Sequence, residues 1–287
     1  MQPSHSQFLD VRGLRYHVRT WGSAAAPKLF LLHGWMDVSA SFQFVVDELR
    51  RDWQVIAPDW RGFGLSQWTH HGYWFPDYIA DLDALLTHFQ PESPANVVGH
   101  SMGGNIANLY AGIRPERIGK LVLVEGFGLP PGAPEKAPER YLHWLDENRA
   151  LPTLRPYASF DAVAARLKKN NLRMGEARAQ FLAPHWAEQR ADGSIHLRAD
   201  PLHKMVYPVL YRVEEAMACW KRIAAPVLWL WGDGQWMKKW MKDDQTLLDR
   251  YRACYQSLHE ETIPESGHMM HLDNPGELAR AIESFLE

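Results

Sequence analysis

A serine lies between two glycines in Gly99-His100-Ser101-Met102-Gly103, and Gly104 follows directly. A hydroxyl is a poor nucleophile at neutral pH, so its placement decides whether it can do chemistry. Residues 96–98 read as the end of a short strand, and residues 104–113 as a helix. A serine on such a sharp strand-to-helix turn is pushed out of the sheet edge. Side chains at the flanking positions would collide there, which is why they are glycines. The helix start adds free N–H groups and the positive end of its dipole. The arrangement is that of an exposed serine nucleophile.

The elements around it must hold that turn. Short apolar runs at 28–32, 54–57, 95–98, 121–124 and 226–231 each lead into a Gly- or Pro-containing turn. Amphipathic segments at 45–49, 77–89, 106–113 and 275–286 alternate with them, and Ser39 and Ser41 are candidate caps for the first. Short fully apolar strands alternating with helices imply an α/β fold with a mostly parallel sheet covered on both faces. Ligands in such sheets bind at the carboxyl ends of the strands, where Ser101 stands. Residues 8–18 read as an N-terminal hairpin, and 251–255 with 259–263 as a late strand region. From Gly126 to about Tyr207 the rhythm changes to helical stretches at 139–147, 161–170 and 176–189 with no apolar β-run. The expected division is a core of 1–126 and 207–287 carrying a helical insertion, 127–206.

Lys+Arg 31 against Asp+Glu 34 gives a net charge of −3, so no strong field of either sign recruits nucleic acid or an anionic membrane. No apolar run is long enough to span a bilayer, and the first residues show neither a basic nor an apolar leader region. Cys219 and Cys254 cannot build a disulfide framework. A cytoplasmic protein, monomeric or homodimeric, is the expectation. Thirteen Trp imply deep apolar packing or a lined pocket. The basic run Arg166-Leu167-Lys168-Lys169 reads as a solvated helix face.

The chain resembles the α/β-hydrolase fold family over nearly its whole length. The resemblance rests on Leu31-Leu32-His33-Gly34-Trp35, on Pro58-Asp59-Trp60-Arg61-Gly62-Phe63-Gly64-Leu65-Ser66, on Gly99–Gly103 and on Ser266-Gly267-His268. The segments His33-Gly34-Trp35-Met36-Asp37 with Ser41-Phe42, and Glu125-Gly126-Phe127-Gly128, are similar to the serine-hydrolase-like group, of carboxylesterase type. The resemblance implies that His268, after the last strand, is the general base for Ser101. It implies oxyanion donors from the backbone N–H groups of Met102 and Trp35. The family's usual acid position after the strand at 227–231 holds Gln235, which carries no charge. Two carboxylates remain candidates: Glu125, at the end of the preceding strand, and Asp233, two residues early. Glu125 is preferred. Asp59 and Arg61 are read as ordering the loop between them and Ser66.

The insertion lies where this family carries its cap, which closes over the serine and sets substrate choice. Phe127, Leu129, Trp144, Trp186 and Trp236 are candidate substrate-binding residues, with Phe181 and Tyr207 beside them; together they imply an apolar acyl or aryl group. The implied reaction is hydrolysis of a small-molecule carboxylic ester, thioester or lactone through an acyl-enzyme. It needs no cofactor. His271 follows His268 at i+3, but no Cys, carboxylate or His-Glu-x-x-His completes a metal pattern, so no metal is expected. C–C bond hydrolysis, perhydrolysis, hydroxynitrile lysis and a non-catalytic binding role are the alternatives on the same scaffold. Dehalogenase and epoxide hydrolase chemistry is disfavoured, because those relatives carry Asp where this chain has Ser101.

Overall fold

Period-two strands at the N-terminus and fully apolar strands further on build a single large sheet. The computed structural model describes residues 1–234 and 236–287. The chain opens with a hairpin, β1 (Ser4–Val11) and β2 (Leu14–Trp21). Then follow β3 (Lys28–Leu32), α1 (Gln43–Glu48), β4 (Gln54–Pro58), α2 (Phe75–Phe89), β5 (Ala95–His100), α3 (Met102–Ile113) and β6 (Ile118–Val124). After β6 come α4 (Ala137–Arg149), α5 (Phe160–Asn170), α6 (Glu176–Trp186), the short strands β7 (Ala187–Gln189) and β8 (Ile195–Leu197), and α7 (Val213–Trp220). The chain ends with β9 (Val227–Gly232), α8 (Trp236–Trp240), α9 (Gln245–Arg252), β10 (Leu258–Ile263), α10 (Met270–Asp273) and α11 (Pro275–Leu286).

The main sheet runs β1-β2-β4-β3-β5-β6-β9-β10. Only the pairings of β1 with β2 and β2 with β4 are antiparallel; the rest are parallel. Parallel strands buried on both faces need helices over each. One face carries Tyr110, Trp220 and Trp229 in a core with α2, α3 and α7. The other packs Leu29, Leu31 and Leu230 against α1 and α11. The sequence of α11 shows why it docks there. Leu278, Ile282 and Leu286 recur every four residues on one buried stripe. Pro275 opens the helix, and the Asn274 side chain accepts from the Glu277 N–H.

A third apolar cluster joins α5 and α6, through Val163, Leu167 and Leu182, to Val38, Phe44 and Leu272. Within the segment between β6 and β9, α5 and α6 thus pack against α1, α10 and the loop after β3, while α7 lies in the core on one face of the sheet. None of the segment's described residues joins the main sheet.

The elements depart from the sequence reading in three places. The stretch 176–189 is not one helix, because α6 stops at Trp186 and β7 turns back through an antiparallel pairing with β8; Pro184 in its last turn removes a donor. Residues 251–252 end α9 and 253–255 form the turn after it rather than a strand, and Tyr251 is fully buried against Trp220. Ser39 and Ser41 cap no helix; they lie in a 3-10 turn, and the Ser41 hydroxyl donates to the Asp37 carboxylate. Among the described residues, no helix is long and apolar enough to cross a membrane.

Candidate active site

The tight turn after β5 places Ser101 with φ 51° and ψ −116°. A non-glycine residue held there stores about 1–3 kcal/mol of strain, which persists only when its surroundings over-determine it. Three contacts do so. The Ser101 N–H donates to the Val124 carbonyl at 2.9 Å. A side chain at Gly99 would lie 2.6 Å from the Gly103 carbonyl oxygen. A side chain at Gly34 would lie 3.1 Å from Ser101 Cβ, so the loop after β3 runs directly against the serine. Met36, Glu125 and Glu265 also have positive φ, at 56°, 48° and 53°. Four of the seven described non-glycine residues with positive φ thus follow the strands whose ends surround Ser101; Arg12, Lys242 and Asp243 lie elsewhere.

Ser101 Oγ lies 3.0 Å from His268 Nε2. The other ring nitrogen, Nδ1, faces Glu125 Oε2 at 3.4 Å. A donor–acceptor distance that long is common before substrate binds. Glu125 is 1% exposed. Its other oxygen, Oε1, accepts from the Gly232 N–H at 2.8 Å. The neighbouring strand end therefore fixes the carboxylate while one oxygen stays directed at the imidazole. Of the two candidate acids, only Glu125 meets His268.

Asp233 goes elsewhere. Its carboxylate accepts from the Glu265 N–H at 2.7 Å and the Ser266 N–H at 3.1 Å. It also pairs with Arg173 at 3.1 Å. It braces the loop that carries His268 without touching the ring. Gln235 lies outside the described residues.

More side chains hold that loop. Asp273 accepts from the Gly267 N–H at 2.8 Å, and the Ser266 hydroxyl donates to the Ile263 carbonyl at 2.7 Å. His100 Nε2 donates to the His268 carbonyl at 2.8 Å, which fixes the His100 tautomer. Burial, with His271 and His268 nearby, pushes the His100 imidazole well below its usual range, so it stays neutral. His271 Nε2 lies 3.2 Å from Asp37 Oδ2, linking α10 to the loop after β3. Burial pushes the Asp37 carboxyl up. The hydrogen bond and charge of His271 outweigh burial and hold it below the usual carboxylate range. Donor atoms of Asp37, His100 and His271 lie within 4.8 Å of one another. The Asp37 carboxylate already accepts from the Val38 N–H, the Ser41 hydroxyl and His271. The sequence reading named His100 and Asp37 within motifs and gave them no role, because their partners come from loops more than 160 residues away in the chain.

Met102 opens α3, so its N–H has no intrahelical acceptor. The Trp35 backbone N–H donates to no acceptor among the described residues, while its indole N–H donates to the His203 carbonyl at 3.3 Å. Asp59 accepts from the Ser39 N–H at 2.7 Å and the Leu65 N–H at 2.9 Å. Arg61 grips Asp81 through two bonds of 2.6 Å. Both order the loop that follows them.

A cavity of about 990 Å³ borders His268 and Trp35, with Trp186 and Trp236 in its wall. The Trp236 ring lies 3.9 Å from the His268 ring. Phe127, Leu129 and Trp144 do not line it. Phe127 is sunk in the core, stacked 4.5 Å from Trp229. The Leu129 carbonyl accepts from the Tyr251 hydroxyl, and Trp144 sits on α4, a helix with no buried residue. Phe181 packs on Phe44, and Tyr207 on Trp74. The basic run on α5 divides: Leu167 is buried, Lys168 pairs with Glu176, and Arg166 lines the cavity.

A family model for the alpha/beta hydrolase fold matches residues 27–275. The chain belongs to the α/β hydrolase family. It is 26% identical over 281 residues to a serine hydrolase-like protein of Danio rerio, covering 94% of this chain and 84% of that one. Among solved structures, the thioesterase domain from the curacin biosynthetic pathway is similar at TM-score 0.86 and 23% identity, covering 98% of this chain and 99% of that one. A Mycobacterium tuberculosis esterase is similar at TM-score 0.75 and 19% identity, covering 100% and 92%. At those identities the two structures show the shared fold. The α/β-hydrolase architecture expected from the sequence is the one found.

Proposed function

We propose that this α/β hydrolase cleaves carboxylic esters or thioesters through a serine acyl-enzyme. The observation that carries the reading is the line Ser101–His268–Glu125, with the hydroxyl 3.0 Å from the imidazole and a buried carboxylate behind it. His268 Nε2 takes the hydroxyl proton as Ser101 Oγ bonds to the carbonyl carbon. The N–H groups of Met102 and Trp35 stabilise the oxyanion. His268 then gives the proton to the leaving alkoxide or thiolate as the carbonyl–heteroatom bond breaks. Water, deprotonated by His268, attacks the acyl-enzyme and releases the acid, and Ser101 recovers its proton. Glu125 keeps Nδ1 protonated and balances the imidazolium. Residues 127–206 act as a cap over a core of 1–126 and 207–287, and Trp186 and Trp236 contact the bound ester.

The test is initial rates on p-nitrophenyl esters of increasing acyl length with Ser101→Ala alongside. Turnover that drops by about 10³-fold or more in the variant supports the reading. A folded wild type that turns over no ester and leaves Ser101 unlabelled by a fluorophosphonate overturns it.

A further inference from the structure

The charges around the cavity are lopsided. The chain as a whole is at −3. Arg155, Arg166, Arg173 and Lys204 line this one cavity, and among the described residues Asp273 is the single carboxylate in its wall. One of its oxygens accepts from the Gly267 N–H, and the other is buried with no partner among the described residues, so this one carboxylate stands against the four cations. Arg173 is compensated by Asp233 at 3.1 Å. Arg155, Arg166 and Lys204 have no carboxylate partner among the described residues. Elsewhere the arginines are commonly paired, as Arg61 is with Asp81, Arg198 with Glu188 and Arg252 with Glu260.

Like charges around one apolar-walled cleft repel each other, and the low-dielectric wall focuses their field into it. The same cavity wall carries Leu154, Tyr157, Leu167, Trp186 and Leu197 as apolar lining. Guanidinium groups set about a concave mouth match carboxylate and phosphate oxygens in geometry and charge.

We infer that the substrate carries an anionic group, carboxylate or phosphate, separated by an apolar stretch from the carbonyl that Ser101 attacks, and that Arg155, Arg166 and Lys204 receive it. This inference rests on the hydrolytic reading above. It narrows the apolar acyl or aryl group expected from the sequence to an amphiphilic one.

The experiment uses matched substrates on the full chain. Mono-p-nitrophenyl esters of glutaric to suberic acid are compared with the same esters methyl-capped at the far carboxyl. Butyryl-coenzyme A is compared with its neutral analogue S-butyryl-N-acetylcysteamine. The expected result is a kcat/KM at least about tenfold higher for the anionic member of a pair, carried mainly in KM and shrinking as salt rises from 0.05 to 0.5 M, as screening requires. Preference in the first pair only assigns a carboxylate, and in the second only a phosphate. Arg166→Glu and Arg155→Glu should each pull the ratio toward one. Lys169→Glu, exposed on the same helix but off the cavity, should leave the ratio unchanged. Thermal melts confirm folding, and Arg166→Ala serves where the charge reversal melts early. Equal turnover of both members of each pair, insensitive to salt and to the arginine variants, would overturn the inference while leaving ester hydrolysis intact. No turnover of any of the four classes, with Ser101 unreactive to a fluorophosphonate, would instead sink the hydrolytic reading itself.

Discussion

β6 and β9 are neighbours in the sheet, and each is followed by a carboxylate, Glu125 and Asp233. Glu125 is 1% exposed; the Asp233 side chain is 39% exposed. Glu125 spends one oxygen on the Gly232 N–H and turns the other to His268. Asp233 spends both on the N–H groups of Glu265 and Ser266, and pairs with Arg173 at the surface. One carboxylate therefore positions the ring, and the other positions the loop that carries the ring. The difference comes from where the backbone ends. Glu125 takes a positive φ at the strand terminus and points inward, whereas Asp233 follows a glycine and sits over the next loop. A buried carboxylate with an uncommitted oxygen is costly unless a polar partner faces it, and the His268 imidazole is that partner.

The comparison breaks or sharpens under substitution. Glu125→Gln keeps the shape and an acceptor for Gly232, but it can present an amide N–H to His268 Nδ1 and favour the wrong tautomer. We expect kcat to fall by about 10³–10⁴-fold with the melting temperature little changed. Asp37→Asn probes a buried carboxylate that holds a histidine away from the reacting atoms. It should cost about 1–3 kcal/mol of stability, read in a urea titration, and far less in kcat than Glu125→Gln. It should also make the protein less sensitive to acid. The folded-state pKa of Asp37 is depressed, so its contribution is present above the unfolded value near 3.9 and is lost as the pH falls through the folded one. Asp233→Asn should lower kcat by less than about tenfold, since an amide oxygen still accepts one loop N–H, and reduce stability by about 1 kcal/mol.

A last effect, on stability alone, concerns a histidine with no carboxylate partner among the described residues. His203 is stacked between Phe63 and Tyr73 and donates to the Arg61 carbonyl at 3.2 Å. Burial pushes its imidazole down to about 3. The unfolded histidine titrates near 6.5, so below that pH protonation favours unfolding. Stability should fall between about pH 6.5 and about 3, by at most about 1.4 kcal/mol per unit from this group. His203→Phe should flatten that part of the stability-against-pH curve, measured by urea titration at pH 7 and 4.5.

Much of this was legible in the chain. Ser101 was marked by its glycines, because only backbone without side chains can pass that close. His268 came from the family resemblance; Gln235 left the usual acid position neutral, and Glu125 could be ranked above Asp233 because some members of the family take their acid from that strand end while Asp233 stands two residues early. The pocket was less legible. Phe127 and Trp144 carry the same aromatic signal as Trp186 and Trp236, yet the first stacks in the core and the second lies on α4 away from the cavity. Composition does not say which way a ring points. The bracing of the His268 loop by His100 and Asp233 depends on hydrogen bonds between distant segments, which no local pattern encodes. The basic run on α5 shows the same limit: neighbouring residues separate onto different faces once Leu167 is buried.

The central claim is that Glu125, and not Asp233, activates the Ser101–His268 pair. The most direct measurement is the second-order rate of Ser101 labelling by a fluorophosphonate in wild type, Glu125→Gln and Asp233→Asn, which requires no knowledge of the natural ester. The account predicts a loss of about 10²-fold or more for Glu125→Gln and a change within about threefold for Asp233→Asn. The reverse order in folded proteins would contradict it.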